Sequence, residues 1–352
     1  TTNKRKFTVS LWAKRSTNGQ RQSLWASDKT TNDTGDGSKG GSGVALQFWN
    51  DDMFYFGGFG GNFQVRANGL QRDPSAWYHI VGQVDTEQGT TNDRAKLWIN
   101  GVQQTTYSAM IGQNTDIKFA TNRIGRQSST ANYSDSDAFY YDNDGYIAEL
   151  HVIDGQYYDA TYFGEFNSDG VWVPKEYEGS YGTGGFHIDG RDASDLGDDE
   201  SGNGNDMTTY GLAAHDQVAD SPTNNFCTFN SLDNRGTPGT LSEGALKMAF
   251  AATNDNVTGT QGMSSGKWYW EAYIVDNDNT YIGVQDSGIS ATGYTASAVA
   301  LWYGGFIYEN NSDTGDRAIA TSGAAYSNGD VVGVAFDADN KKIWWSKNGQ
   351  WY

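Results

Sequence analysis

The chain has 352 residues, of which 14% are aromatic, and sets 24 Lys and Arg against 43 Asp and Glu, for a formal net charge of −19 and a pI near 4.4. Such a balance argues against nucleic-acid phosphate or an anionic membrane surface as a partner, because both call for a basic face. The length suits about two domains, each with a sizeable core.

Only nine of the acidic residues are Glu; the other 34 are Asp. Asp bonds its own backbone and favours turns, whereas Glu favours helix. With 45 Gly, this is the composition of many short strands joined by Asp, Asn and Gly turns. No window of ten or more residues shows helical periodicity. The single Cys227 excludes an intramolecular disulfide and reads as a small buried hydrophobe. No apolar run is long enough to span a bilayer, so no membrane insertion is expected, and no signal-peptide pattern is present.

In chain order, residues 7–14 (FTVSLWAK) alternate like a strand. Short strands are predicted at 44–49, 53–56 and 62–67, with a strong one at 77–85 (WYHIVGQVD). Lys96 to Gln103 follows, broken by Asn100-Gly101, the dipeptide suited to the φ > 0 positions of a type I′ hairpin turn. Residues 123–125 and 145–153 (GYIAELHVI) close this first region at about residue 165. Residues 166–239 are too polar for a core of their own, but Trp172, Tyr177, Tyr181 and Phe186 punctuate them, so this linker is expected to pack along its neighbours. From residue 240 a second β unit is predicted, with strands at 266–274, 281–284 and 331–337 and a second Asn-Gly turn at Asn348-Gly349. The chain stops just after that turn, so a further strand is expected in the native protein. The predicted fold class is all-β: two antiparallel β-sandwich, jelly-roll type domains (1–165 and 240–352).

The ordered set FTVSLWAKR, WYHIVGQVD, RAKLWINGVQ and GYIAELHVIDG resembles the laminin-G/concanavalin-A-like jelly roll. The series GKWYWE, YIGV, GDVVGVAFD and IWWSKNGQW resembles the SPRY domain, another β-sandwich, without that family's final strands. The two modules, bridged by residues 168–226, resemble structural proteins of marine bacteriophages. That resemblance implies a particle-borne role on the virion surface, as a tail fibre or other appendage. Other virion proteins are the implied partners, with homo-oligomers and host surface polysaccharide next.

Glycoside hydrolysis needs two carboxylates on either side of a sugar bond. No acid-x-acid-x-x-acid strand is present, and Glu149 and Glu271 each stand alone in their strands. His79 and His151 lie within strands, where a satisfied histidine is the default; His187 and His215 lie in or near the linker. No nucleophile elbow or phosphate loop occurs, so no enzyme is expected.

Oxygen-rich loops could hold Ca²⁺, which takes six to eight oxygen ligands. The best group is Asp135, Asp137, Asp142 and Asp144; Asp189 to Asp199 and Asp276 with Asp278 come after it. None has the twelve-residue loop pattern, and solvated turn aspartates are the plain alternative. Candidates for stacking on sugars are Tyr133, Tyr140 and Tyr141 in the first domain and Trp302, Tyr303 and Tyr308 in the second. The expected function is thus non-enzymatic attachment to host glycans. A purely structural capsid-decorating or tail-assembly role is the alternative, and a glycan-degrading enzyme comes last.

Overall fold

Alternation decides which side chains of each strand reach the interior. In the first strand, Lys6–Arg15, it sends Phe7, Val9, Leu11 and Ala13 to one side, where all four are buried. The computed structural model describes residues 3–28, 43–58, 63–117, 121–128, 139–237, 239–252, 255–286, 298–311, 315–320 and 323–352. Tyr133, Asp135 and Asp137 lie outside them. Among the described residues the only helical pieces are three-residue 3₁₀ turns.

The chain divides into two units: residues Thr1–Leu232 with Ser242–Lys247, and residues Asp233–Leu241 with Met248–Tyr352. In the first unit, one six-stranded sheet runs Phe186–Ile188, Gly145–Asp154, Lys6–Arg15, Tyr78–Asp85, Ala95–Ile99, Val102–Gln104. The second runs Thr121–Ile124, Gln22–Asp28, Val44–Phe48, Phe54–Gly58, Gln64–Arg66, Thr106–Ala109. The pairings within both are antiparallel. Their facing sides hold one core, with Val9, Leu11, Ile80, Leu97 and Leu150 from the first sheet and Trp25, Leu46, Phe48, Phe54 and Phe56 from the second. Each such side chain contributes about 1.5–3 kcal/mol on full burial.

Both Asn-Gly hairpins form as the sequence predicts. Asn100 and Gly101 have φ of 46° and 78°, and Asn348 and Gly349 have 48° and 83°. Each Asn does a second job. Asn100 Oδ1 accepts from the His79 N–H at 2.8 Å, and Asn348 Oδ1 accepts from the Val331 N–H at 2.9 Å. The side chain thus satisfies a backbone group at the start of the neighbouring strand. At Gly101 a Cβ would also lie 2.6 Å from the Trp172 ring, so the turn and the packing both select glycine.

The polar segment after residue 165 belongs to the first unit, which runs on to Leu232. It lies over the outer side of the first sheet. There Phe163, Tyr177, Ile153, Ala160 and Val81 form one buried cluster, and Trp12, Trp77 and Tyr146, with Trp172 against them, form another. Because the covered sheet face is polar, the contacts are hydrogen bonds as well as rings. Thr8 Oγ1 donates to Gln156 O and accepts from Tyr158 N. Lys14 is wholly buried, and its ammonium reaches Asp220 Oδ2 at 2.8 Å, Asn225 Oδ1 at 2.8 Å and Phe226 O at 2.7 Å. Asp220 also accepts from Trp77 Nε1 at 2.8 Å. Cys227 departs from expectation: it is exposed, because the chain around it is irregular and no strand turns it inward.

The second unit has two four-stranded sheets. One runs Lys267–Tyr273, Val331–Asp337, Lys342–Lys347, Gln350–Trp351; the other Tyr281–Gln285, Ala298–Trp302, Phe306–Asn311, Gly315–Ala320. Its core holds Ile274, Leu301, Ala324, Tyr326, Val332, Val334 and Trp345. Trp345 Nε1 donates to Ile282 O at 2.9 Å, which satisfies its one polar atom.

Candidate functional site

Tyr141 is the first-unit candidate whose side chain is described; Tyr140 is placed only by its backbone, in strand Phe139–Tyr140. The Tyr141 ring lies over the Arg21 guanidinium, 4.1 Å from its centroid. Arg21 also lies over the Trp49 ring at 4.4 Å, and Trp49 stacks on Tyr55 at 4.4 Å and 21°. Arg21 is held in plane by Gln47 Oε1, which accepts from Nε at 3.1 Å and Nη2 at 2.7 Å. The product is a run of ring and cation contacts, Tyr55–Trp49–Arg21–Tyr141, with Tyr141 37% exposed at its end. Arg21, Trp49 and Tyr55 escape sequence reasoning because they are brought to Tyr141 from other strands and loops.

In the second unit Trp302, Tyr303 and Tyr308 come together, with the Trp302 and Tyr303 rings edge-on at 4.5 Å and 68°. Tyr303 packs against the core, while Trp302 meets Tyr308 edge-on at 6.0 Å and 85°. Tyr281 and Phe306 join on the same side, paired with Trp302 in register. Trp302 Nε1 donates to Asn279 Oδ1 at 2.5 Å.

The acidic candidates are taken up by protein donors. Asp142 accepts from Arg126, and Asp144 Oδ2 accepts from Thr17 Oγ1 at 3.0 Å. In the linker group, Asp192 and Asp195 accept from backbone N–H groups two residues on. Asp199 collects the N–H groups of His187, Ser201 and Asn205. Its carboxyl is pulled below the ordinary range by those bonds, against the burial that opposes ionisation.

A different group converges where no motif pointed. His151 and His187 face each other across paired strands, their rings 4.1 Å apart and 13° from parallel. Glu149 Oε2 lies 3.1 Å from His187 Nε2 and 3.9 Å from His151 Nε2. Arg191 Nη2 holds the other oxygen, Oε1, at 2.8 Å. Chiefly through the His187 hydrogen bond, the Glu149 carboxyl is held below its ordinary pKa. His151 is pushed well below its own by burial, then by the two other histidines. Glu149 stood alone among acids in its predicted strand on sequence; His151 lies two residues on in that strand, and His187 arrives from a three-residue strand 38 positions away that carries no pattern of its own.

His79 has another role. Indole N–H only donates, so His79 Nδ1, 3.0 Å from Trp172 Nε1, must accept. Nε2 therefore carries the proton and donates to Ser10 Oγ at 2.9 Å. Both ring nitrogens are satisfied in the neutral form, and burial pulls the pKa down to about 3.

Two packed antiparallel sheets over one core define an all-β sandwich. Residues 1–158 are similar to the family model described as the concanavalin A-like lectin/glucanases superfamily. No curated protein matches the chain. Similar solved structures include a native heptameric SAP-like pentraxin from Limulus polyphemus, 13% identical, TM-score 0.31, with 44% of this chain and 65% of that one covered. A putative carbohydrate binding protein from Bacteroides ovatus is 13% identical, TM-score 0.30, with 53% and 49% covered. Domains LG4-5 of the mouse laminin α1 chain are 10% identical, TM-score 0.34, with 100% and 71% covered. The chain thus spans 65% and 49% of the first two.

Proposed function

We propose that this protein is a non-enzymatic, carbohydrate-binding component of a bacteriophage virion surface, a tail fibre or similar appendage that attaches to host-surface glycans. The observation that carries the reading is the Tyr55–Trp49–Arg21–Tyr141 run of contacts on a domain similar to that lectin/glucanase family. A ring braced from behind by a cation and a second aromatic is a rigid apolar plate, suited to the C–H face of a sugar. Gln47 and Arg21 supply polar atoms beside it. In this reading residues 240–352 form a SPRY-like second module. Many copies on one particle would multiply weak single contacts by roughly 10² to 10⁴ in avidity.

The test is an array of host-surface polysaccharides probed with the wild type, Tyr141→Ala and Trp49→Ala. Binding to one glycan class, weakened about tenfold or more by either change, is expected. No binding to any glycan, or binding indifferent to both changes, overturns it.

A second reading, that of a virion structural protein with protein contacts alone, is favoured by the exposed Tyr269, Tyr273, Trp344 and Trp351 of the second unit. Mapping those four residues by solvent protection in the assembled particle separates the two readings.

A further inference from the structure

We propose that Glu149, His151 and His187 form a binding site for a first-row transition-metal ion of the Zn²⁺ type. The ligand set is two imidazole nitrogens and one carboxylate oxygen, the combination that suits such ions rather than Ca²⁺. The three ligand atoms lie within 4.8 Å of one another, with edges of 3.1 and 3.9 Å from Glu149 Oε2 to the two Nε2 atoms. Ligands about 2.1 Å from a tetrahedral ion stand roughly 3.4 Å apart. The two rings are stacked 4.1 Å apart and 13° from parallel, so His187, on the edge strand Phe186–Ile188, must turn its ring out of the stack for both Nε2 lone pairs to meet one ion at that spacing.

Three further observations bear on the same atoms. The first is the backbone at Glu149. Pairing of Gly145–Asp154 with Lys6–Arg15 shifts register between Ser10 and Trp12, so Glu149 occupies a β-bulge, and its φ is +49°. Glycine is usual at such a position, and another residue there is strained. The strain places a carboxylate beside the two rings. The second is His151. Its Nδ1 is 2.9 Å from the Tyr181 hydroxyl, while its Nε2 faces Glu149 across 3.9 Å, too long for a hydrogen bond. In the tautomer whose Nδ1–H goes to Tyr181, Nε2 keeps its lone pair for an ion. The third is Arg191, which occupies Glu149 Oε1 and leaves Oε2 toward the imidazoles. Arg191 is itself held by Asp189, so its charge is countered locally.

Three protein ligands leave a fourth position for water. The ion takes the place of the proton between His187 Nε2 and Glu149 Oε2. It thereby fastens the edge strand to Gly145–Asp154, the strand it pairs with, and so ties down a point within the segment that covers the first sheet.

The experiment uses untagged, chelator-stripped full chain and Zn²⁺ alone, followed by calorimetry, with Co²⁺ absorption as a spectroscopic reading of the ligand set. The wild type is expected to bind one ion and to unfold at a higher temperature with it than without. His187→Ala and Glu149→Gln should each weaken binding at least about tenfold, while His215→Ala, at an exposed histidine, should leave it unchanged. If His187→Ala fails to fold, Glu149→Gln decides the matter. No binding by the wild type, or equal binding by the Glu149 and His187 variants, overturns the proposal. Neither result touches glycan binding, which is read on separate residues.

Discussion

The outward face of the first sheet in the first unit and that of the Lys267–Tyr273 sheet in the second are alike in composition and opposite in fate. The former presents Thr8, Ser10, Trp12, Lys14, Trp77 and His79, and the chain from 156 to 226 covers it so fully that Ser10 and Lys14 are buried. The latter presents Tyr269, Tyr273, Trp344 and Trp351 at 55%, 65%, 42% and 46% exposure. A polar, aromatic sheet face does not by itself say whether it will be buried. What decides is whether another stretch of chain supplies matching donors and acceptors, as Asp220, Asn225 and Trp172 do.

The largest effect that could break this comparison lies at Lys14. Removing one partner of a buried ion pair leaves the other charge stranded and costs about 3–5 kcal/mol. Asp220→Ala should therefore raise amide exchange of Lys6–Arg15 by the corresponding amount. A cost under about 1 kcal/mol would mean the cover is loosely held and the contrast is one of degree. Acidification comes next. His79 stays neutral in the folded state down to about pH 3, whereas unfolded histidine takes a proton near 6.5. Its stabilisation is complete above pH 6.5 and is lost on acidification toward pH 3, by about 1.4 kcal/mol per pH unit. Urea midpoints measured across that range should fall for the wild type and fall less steeply for His79→Gln. The hairpins offer a sharper, smaller test: Asn100→Gly keeps the turn but loses the bond to His79 N, at about 1 kcal/mol. The smallest effect is expected at the exposed face, where Tyr273→Ser should change stability by under about 0.5 kcal/mol. A larger loss there would show that the second face is covered too.

Strand positions and both turns were legible because they rest on local alternation and on φ > 0 chemistry. Val331–Asp337 matches its predicted span, and Gly145–Asp154 extends its own by one residue. The Glu149 group was not, because it depends on pairing Leu150 to Val152 with Phe186 to Ile188, and nothing in a three-residue strand announces its partner. Arg21 between Trp49 and Tyr141 was hidden for the same reason: a cation between two rings is a meeting of distant segments. Cys227 was misread because composition favours burial of a lone cysteine while its own irregular backbone does not.

The place of Lys6–Arg15 between Tyr78–Asp85 and Gly145–Asp154 has a kinetic consequence. Its pairings join Phe7 to Val84 and Phe7 to Asp154. Contacts so distant in sequence form slowly, since the loop must close before they reward it. The hairpin at Asn100 involves neighbours and can form at once. During synthesis the N-terminal strand therefore emerges first and waits longest, holding Trp12 and Lys14 open to solvent and chaperones until residue 226 and its neighbours arrive.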